Sequence, residues 1–518
     1  MSAGYYASPW PAEDAGPSRL QTASPGSGLH LLPGQHLRST SRNTTLSTMA
    51  VLGDPGDVYL LTHSALRANF GLPTTSCVER IDPITLKTLE SSGRLPGGPM
   101  WPGGMAVHRN GDVYVVYGRY AHRLDRHCVR KQSRMLPVDQ PYNSFVILDN
   151  GLIVTKNLSD KRAAQLSVLD PEGLQSVCAD VLCPEPSIAR LSAVGNTVYV
   201  VGVRSIFRLH WDEQAQTLAL DPHWRWDYIG NSAQSYGWDV VIDGHSAWFM
   251  DNGLIVTKNL SDTQAAQLTV LDPEGLQSVC ADVLCPEPSI ARLSAVGNTV
   301  YVVGVRSIFR LHWDEQAQTL KLDSQWRWDY IGSSAQSYGW DVVIDGHSAW
   351  FMDNGHHRYR INMEGAGVSR TANRLLRVSL TDSSDHAAWE VSGLPGGSIT
   401  NPPLVDVQRR IVLGYDSANR FLRAWRFGDA IKDLQPLWHE ANFGVASHMV
   451  LFPERGQVVV NDYRRWGEEV LMLDIETGTE QGRVRVGGIS QGVVFPSVGW
   501  NGDVYWSSMG RFSRVFAA

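Results

Sequence analysis

Side chains that bear oxygen recur at comparable places along this chain: Asn143, Glu185 with an identical counterpart Glu287, Asp239 with its counterpart Asp341, and Asn401, joined by His448. Each stands close to the start of a short apolar run that reads, below, as the innermost strand of a blade. Innermost strands converge, so residues remote in sequence would meet at the mouth of a central channel. Carboxylate and amide oxygens are hard donors of the kind that hold Ca²⁺. Polar residues at strand starts also satisfy backbone groups of the adjoining loops, and that reading stands beside the first. Arg190 and Arg292, in the repeated phrase PSIAR, would either clamp an anionic ligand with a guanidinium fork or pair with a neighbouring carboxylate. Asn143, Glu185, Arg190, Asp239, Asn401 and His448 form the candidate ligand-binding set.

Other residues carry weaker chemistry. Trp238 and Trp340, in YGWD, would line a pocket or wedge between sheets. The WRWDY stretches at 224–228 and 326–330 place two tryptophans at alternate positions, on one face of a strand. The six cysteines are too few for a disulfide framework in a chain of 518 residues. Cys178 and Cys183, repeated as Cys280 and Cys285, have no histidine close in sequence to complete a metal site. His356-His357 lacks a third ligand, and His122, His127 and Cys128 are no stronger. No G-x-S-x-G elbow, H-E-x-x-H, P-loop or dinucleotide fingerprint is present. The net charge of −7 offers no basic footprint for nucleic acid. No apolar run approaches the ~18 residues that span a bilayer. The first residues show no basic segment followed by an apolar one, so the expected location is cytoplasmic.

The elements that must position these residues are strands. After a lead-in over residues 1–40, rich in Pro, Ser and Gly and expected to be poorly ordered or to hug the surface, short runs of Val, Ile, Tyr, Phe and Trp alternate with Gly, Asp, Asn and Pro to the end. A hairpin signature recurs as MAVLGDPGDVYLL (49–61), MAVHRNGDVYVVY (105–117), LSAVGNTVYVVG (191–202 and 293–304) and PSVGWNGDVYWSS (496–508). Gly and Asn accept the positive φ that such turns need. First strands fall at 45–52, 101–107, 141–148, 186–194, 235–242, 288–296, 337–344, 402–407, 447–452 and 489–495, giving ten units of the length of a four-stranded propeller blade.

Two of these units are a copy. Residues 149–250 are followed at once by 251–352, and the copies differ only at Lys161/Thr263, Arg162/Gln264, Ser167/Thr269, Ala219/Lys321, Pro222/Ser324, His223/Gln325 and Asn231/Ser333, in segments read as polar or turn-like. Asp-Asn-Gly opens each copy and recurs at 353–355, so the duplication has the form of recombination, or of an assembly error, at a short shared sequence. Without one copy the parent is an eight-bladed propeller. The seam implies a surplus strand in the blade spanning 235–285, and a ring of ten needs less rotation per blade than a ring of eight, so closure would be strained or the copied part extruded.

Several units end on an aspartate-turn phrase: IDPITLKTLE (81–90), LDPEGLQSV (169–177 and 271–279) and LDIETGTEQG (473–482). With SPWP at 8–11, these resemble the repeat of the quinoprotein-like propellers of the pyrroloquinoline quinone type, over about 45–518. The resemblance implies an all-β propeller and, in its enzyme members, a quinone cofactor and alcohol oxidation. Two features depart from it: Thr479 and Glu480 stand where a docking tryptophan would follow Thr-Gly, and no adjacent Cys-Cys pair occurs. The lactonase-like six-bladed propellers, which hold a divalent cation with Glu, Asn and Asp from innermost strands, are a second comparison, although their motif phrases are not matched.

The sequence thus reads as all-β, a single β-propeller over 41–518 with ten blade-like units. Its expected function is to bind a small molecule or a protein partner at the channel mouth, with no nucleic acid and no membrane. The alternative is an enzyme that uses calcium or pyrroloquinoline quinone to hydrolyse a lactone or ester or to oxidise an alcohol.

Overall fold

A computed structural model describes residues 3–13, 16, 29, 31–32, 34–99, 103–159, 161–227, 255–258, 265–271, 278–289, 291, 293–334, 336–355, 371–399, 401–445, 449–452, 455–464, 467–486, 497–508 and 510–518. The fold is an all-β propeller of ten blades. Five blades belong to one compact unit, Met1–Trp248 with Glu274–Gln277 and Val486–Ala518, and five to a second, Phe249–Pro273 with Ser278–Arg485.

In the first unit, blade 1 is the antiparallel series Leu46–Leu52, Val58–His63, Thr74–Ile81 and Thr88–Ser91, with Leu95–Gly98 also paired to its third strand. Blades 2, 3 and 4 start at Gly104–Val107, Tyr142–Ile147 and Ser192–Val194, and each continues through three further antiparallel strands. In the second unit, blades 5 to 9 occupy 255–284, 294–329, 337–390, 404–441 and 450–485. Blade 5 shows three strands among the described residues, Ile255–Lys258, Gln267–Leu271 and Ser278–Leu284. The surplus strand expected at the seam, residues 235–254, lies outside the described residues.

Blade 10 joins the two ends of the chain. Leu37–Asn43 is its outer strand, paired residue for residue with the last strand, Arg511–Ala517. This supplies the fourth strand that the last three strands lack.

A blade's second strand is covered on both faces by its neighbours, which is why Val58–His63 and Val113–Tyr117 read as continuous apolar runs and are buried throughout. The outermost strand faces solvent: Arg130–Met135 carries Arg, Lys, Gln and Ser and is almost wholly exposed. The core is therefore a series of layers between blades, such as Val51, Tyr59 and Leu61 of blade 1 against Met105, Val107 and Val115 of blade 2.

The aspartate-turn phrases close the hairpin between third and fourth strands. Asp82, Asp170 and Asp474 each accept backbone N–H groups two and three residues ahead, and the fourth residue after each takes the left-handed conformation: Leu86 (φ 59°), Leu174 (φ 56°) and Gly478 (φ 72°). Leucine is costly at such φ, but Leu86 and Leu174 are fully buried and offset the cost by packing. At Gly478 the space is filled from outside by the ring of Trp438, on the outer strand of the preceding blade. No tryptophan follows Thr-Gly, as the sequence shows, and an indole from blade 8 takes up that space instead, donating to Ile475 O at 3.0 Å.

Docking of this kind joins successive blades. Trp326 Nε1 donates to Ser379 O in the next blade at 2.9 Å. The tyrosine of the Val-Tyr signature does the same from the second strand: Tyr505 OH to Pro83 O at 3.3 Å, Tyr59 OH to Arg126 O at 3.0 Å and Tyr114 OH to Pro171 O at 2.6 Å. Each acceptor directly follows the aspartate of the next blade's turn. The aspartate of the Gly-Asp-Val-Tyr signature meets an arginine on its own third strand, as Asp57–Arg80, Asp112–Arg123 and Asp503–Arg514.

Two expectations change. Residues 3–13 of the lead-in are packed, not loose: Tyr5, Trp10 and Ala12 are buried and bonded to the innermost strands of blades 1 to 3, because large apolar side chains here find uncovered strand edges. Among the substitutions that separate the copies, Ser167/Thr269 is buried in a strand and not in a turn, so the second copy holds one more methyl group in its core.

Tyr114→Phe removes one inter-blade hydrogen bond and is expected to lower stability by about 1 kcal/mol. Gly478→Ala meets both a left-handed backbone and a Cβ position 2.5 Å from Trp438 Cδ2, and is expected to cost about 2–4 kcal/mol. The urea midpoint of each variant, followed by tryptophan fluorescence, measures both.

Candidate functional site

Among the described residues, Glu185, Arg190 and Asn401 lie ahead of the first strands of their blades, at the end opposite the Gly-Asp hairpins and aspartate turns. At that end, Glu185 precedes the first strand of blade 4 and is buried. Its carboxylate accepts the Arg204 backbone N–H and faces the Arg225 guanidinium at 3.4 Å. Glu287 repeats this in the second copy, accepting Arg306 N–H at 2.6 Å and the Ser307 hydroxyl, with Arg327 at 3.2 Å. Gly202 and Gly304 leave the room: a Cβ there would stand 2.6 Å from Glu185 Cδ and 2.7 Å from Glu287 Cδ. Both glutamates fasten a loop to its own blade.

Arg190 forms an ion pair with Glu13 of the N-terminal segment. Asn143 lies in the irregular start of Tyr142–Ile147, where the pairing register shifts. Asn401 belongs to the second unit, and its backbone N–H donates to Tyr415 OH at 2.7 Å. Asp341 is buried in the second unit. Asp239, His448, Arg292 and Trp238 lie outside the described residues. Glu185 and Arg190 are thus given separate partners instead of a shared point.

The cysteines are free. Burial pushes the thiols of Cys128, Cys183 and Cys285 up to about 12, so they stay protonated and unreactive near neutrality. Among the described residues, no three His, Cys, Asp or Glu side chains are grouped so as to hold a metal ion. His127 pairs with Glu90, while His122 bonds Pro96 O and the Ser133 hydroxyl.

Sequence reasoning passed over a lysine in Ile153–Asn157 of blade 3, where it is buried, and its counterpart in Ile255–Lys258 of blade 5. Lys156 donates to Ser187 O at 3.3 Å and Lys258 to Ser289 O at 3.0 Å. Burial draws the Lys258 ammonium down to about 8. The signal was present in LIVTKN, where a charged residue interrupts an apolar run.

The other end of the first unit holds a cavity of about 390 Å³ between the Gly-Asp hairpins of blades 1 and 2. Tyr6 and Tyr59 line it, with Asp54, Asp57 and Asp112 opposite Arg126 and Lys131. Arg126 spans Asp57 at 3.0 Å and Asp54 at 3.3 Å, and Lys131 meets Asp112 at 2.9 Å. Asp57 and Asp112 are buried, while Asp54, Arg126 and Lys131 keep open faces. The spacing of D-P-G-D and N-G-D turns announced the hairpins, but not that two of them would face one another.

No protein-family model matches the chain, and no curated protein matches it. Solved structures do. A europium-containing methanol dehydrogenase is 11% identical over 100% of this chain and 99% of its own, with a TM-score of 0.45. BamB of Moraxella catarrhalis is 15% identical over 81% and 95%, with a TM-score of 0.32. A putative 6-phosphogluconolactonase of Bacteroides fragilis is 13% identical over 65% and 97%, with a TM-score of 0.33. The likeness is one of fold. Among the described residues no helix is long and apolar enough to cross a membrane.

Burial lowers the imidazoles of His63 and His122 to about 4. The folded state then resists a proton that the unfolded chain accepts near 6.5, so the stability these residues contribute is complete above that pH and is lost as pH falls toward 4. Each is expected to cost about 3 kcal/mol across that window. Urea midpoints from pH 7.5 to 4 should fall, and His122→Asn should flatten the decline.

Proposed function

We propose that this chain is a binding propeller, and that the cleft between the Gly-Asp hairpins of blades 1 and 2 is its small-molecule site. The observation that carries this reading is the pairing of charge in that cavity. Its two central cations are already paired, Arg126 with Asp54 and Asp57 and Lys131 with Asp112, so a singly charged ligand would have to break an ion pair. A ligand with several hydroxyl groups would not: its hydroxyls can donate to the remaining lone pairs of Asp54, whose oxygens already meet Tyr6 and Arg126, and accept from Arg126 and Lys131 at once. Tyr6 adds an aromatic wall. About 390 Å³ is room for a mono- or disaccharide.

The channel mouth fits a ligand less well on the side of the first unit. Arg190, the cation expected to hold an anion there, is engaged by the chain's own Glu13. The alternative, a calcium- or quinone-dependent hydrolase or oxidoreductase, needs the carboxylates at blade starts as ligands. Glu185 and Glu287 instead serve backbone N–H groups and arginines of their own blades.

Calorimetric titration of the full chain with a panel of neutral mono- and disaccharides is expected to yield saturable binding at one site. Arg126→Ala and Lys131→Ala should each weaken it about tenfold. Absence of binding across the panel, or binding indifferent to both substitutions, would remove the cleft as the site.

A further inference from the structure

The N-terminal segment is held as a ligand is held. Its backbone turns outward: Tyr6 N–H donates to Val107 O, Val107 N–H to Pro11 O, Leu52 N–H to Trp10 O and Arg109 N–H to Gly4 O, at 2.8–3.0 Å. Those partners lie along the free edge of the first strand of blade 2 and the end of the first strand of blade 1. The first strand of a blade has one edge paired within its sheet and one edge open, with N–H and C=O groups that need partners. Residues 3–13 answer that need as an added strand would.

Side chains fix the register. Tyr5 and Trp10 are about 95% buried, and Tyr5 OH accepts the Ile147 N–H of blade 3 at 2.8 Å. Ser8 Oγ donates to Leu52 O at 2.6 Å. Gly4 approaches so closely that a Cβ would stand 2.0 Å from Leu148 O. At the far end, the Glu13 carboxylate, itself buried, pairs with Arg190 ahead of blade 4. The prolines at 9 and 11 bracket Trp10 and favour extended backbone on either side of it.

We propose that these strand edges, with Arg190 at one end, form a docking site for an extended peptide of a partner protein, and that residues 3–13 occupy it in cis as a stand-in. The occupant it fits is a proline-flanked segment with a buried aromatic residue and, three positions on, a carboxylate for Arg190. Main-chain hydrogen bonds supply affinity and the aromatic pockets supply selectivity. In the resting chain the stand-in holds the site at the high effective concentration of a tethered ligand, so a free peptide must compete with it. This site adjoins the saccharide cleft between the hairpins and shares Tyr6, Val107 and Arg109 with it.

The full chain carrying Gly4→Val tests it, because the added side chain cannot share space with Leu148 O. Backbone amide exchange at Leu52 and Val107 should accelerate while the other innermost strands stay protected. A fluorescent peptide of residues 1–16 should then bind this variant at least tenfold more tightly than the unaltered chain. Adding Arg190→Glu should reverse at least tenfold of that gain. Three results would overturn the proposal: unchanged exchange at both amides, released amides without peptide binding, or binding that ignores Arg190→Glu. Should Gly4→Val fail to fold, Tyr5→Ala/Trp10→Ala releases the segment without added bulk. Failure of both to fold would make residues 3–13 part of the core and sink the idea.

Discussion

One backbone carbonyl per outer turn is the constraint on which the neighbouring geometry rests. The turn that closes a blade's third and fourth strands leaves a carbonyl facing the blade before it, at Pro83, Arg126, Pro171, Ser379 and Ile475. A carbonyl buried there without a donor would cost about 1–3 kcal/mol. The preceding blade answers with a tyrosine on its second strand or a tryptophan on its outer strand, and either ring also fills the layer between sheets. Four of these turns also hold a left-handed residue, at Leu86, Cys128, Leu174 and Gly478. The cleft follows from this close fit, since Tyr59 reaches Arg126 O and so brings the 125–131 turn over the hairpin of blade 1.

Much of the fold was legible because its signals are local. Asn-Gly and Gly-Asp turns mark hairpins, Val-Tyr marks second strands, and the aspartate turns mark outer hairpins. What stayed hidden depends on partners far away in sequence. Leu37–Asn43 has no apolar alternation, and only its pairing with Arg511–Ala517 makes it a strand. The candidate site divided the same way. That Glu185 would be buried with a backbone donor could be weighed as one reading of a polar residue at a strand start, but the partner of Arg190 lies 177 residues earlier.

The two copies show how far a repeated sequence repeats its interactions. Thr197–His210–Asp221 with Arg208 recurs as Thr299–His312–Asp323 with Arg310, at nearly the same distances. Three of the substitutions, Ala219/Lys321, Pro222/Ser324 and His223/Gln325, fall on the exposed outer strand, where Lys321 adds only an ion pair with Asp314 at 3.4 Å. Substitution of that strand leaves the polar chain in place, because its one member there, Asp221 or Asp323, is unchanged and the others lie on the strands within.

The pairing of Leu37–Asn43 with Arg511–Ala517 also sets an order of events during synthesis. Those strands are separated by nearly the whole chain, so their contact carries the longest loop closure in the molecule. Blade 10 stays an incomplete sheet until Arg511–Ala517 has left the ribosome, and the edge that this strand will cover is exposed in the nascent chain until then. The sequence along that waiting edge, LRSTSRN, is charged and hydroxyl-rich, which is the composition that keeps an uncovered strand from pairing with the wrong neighbour.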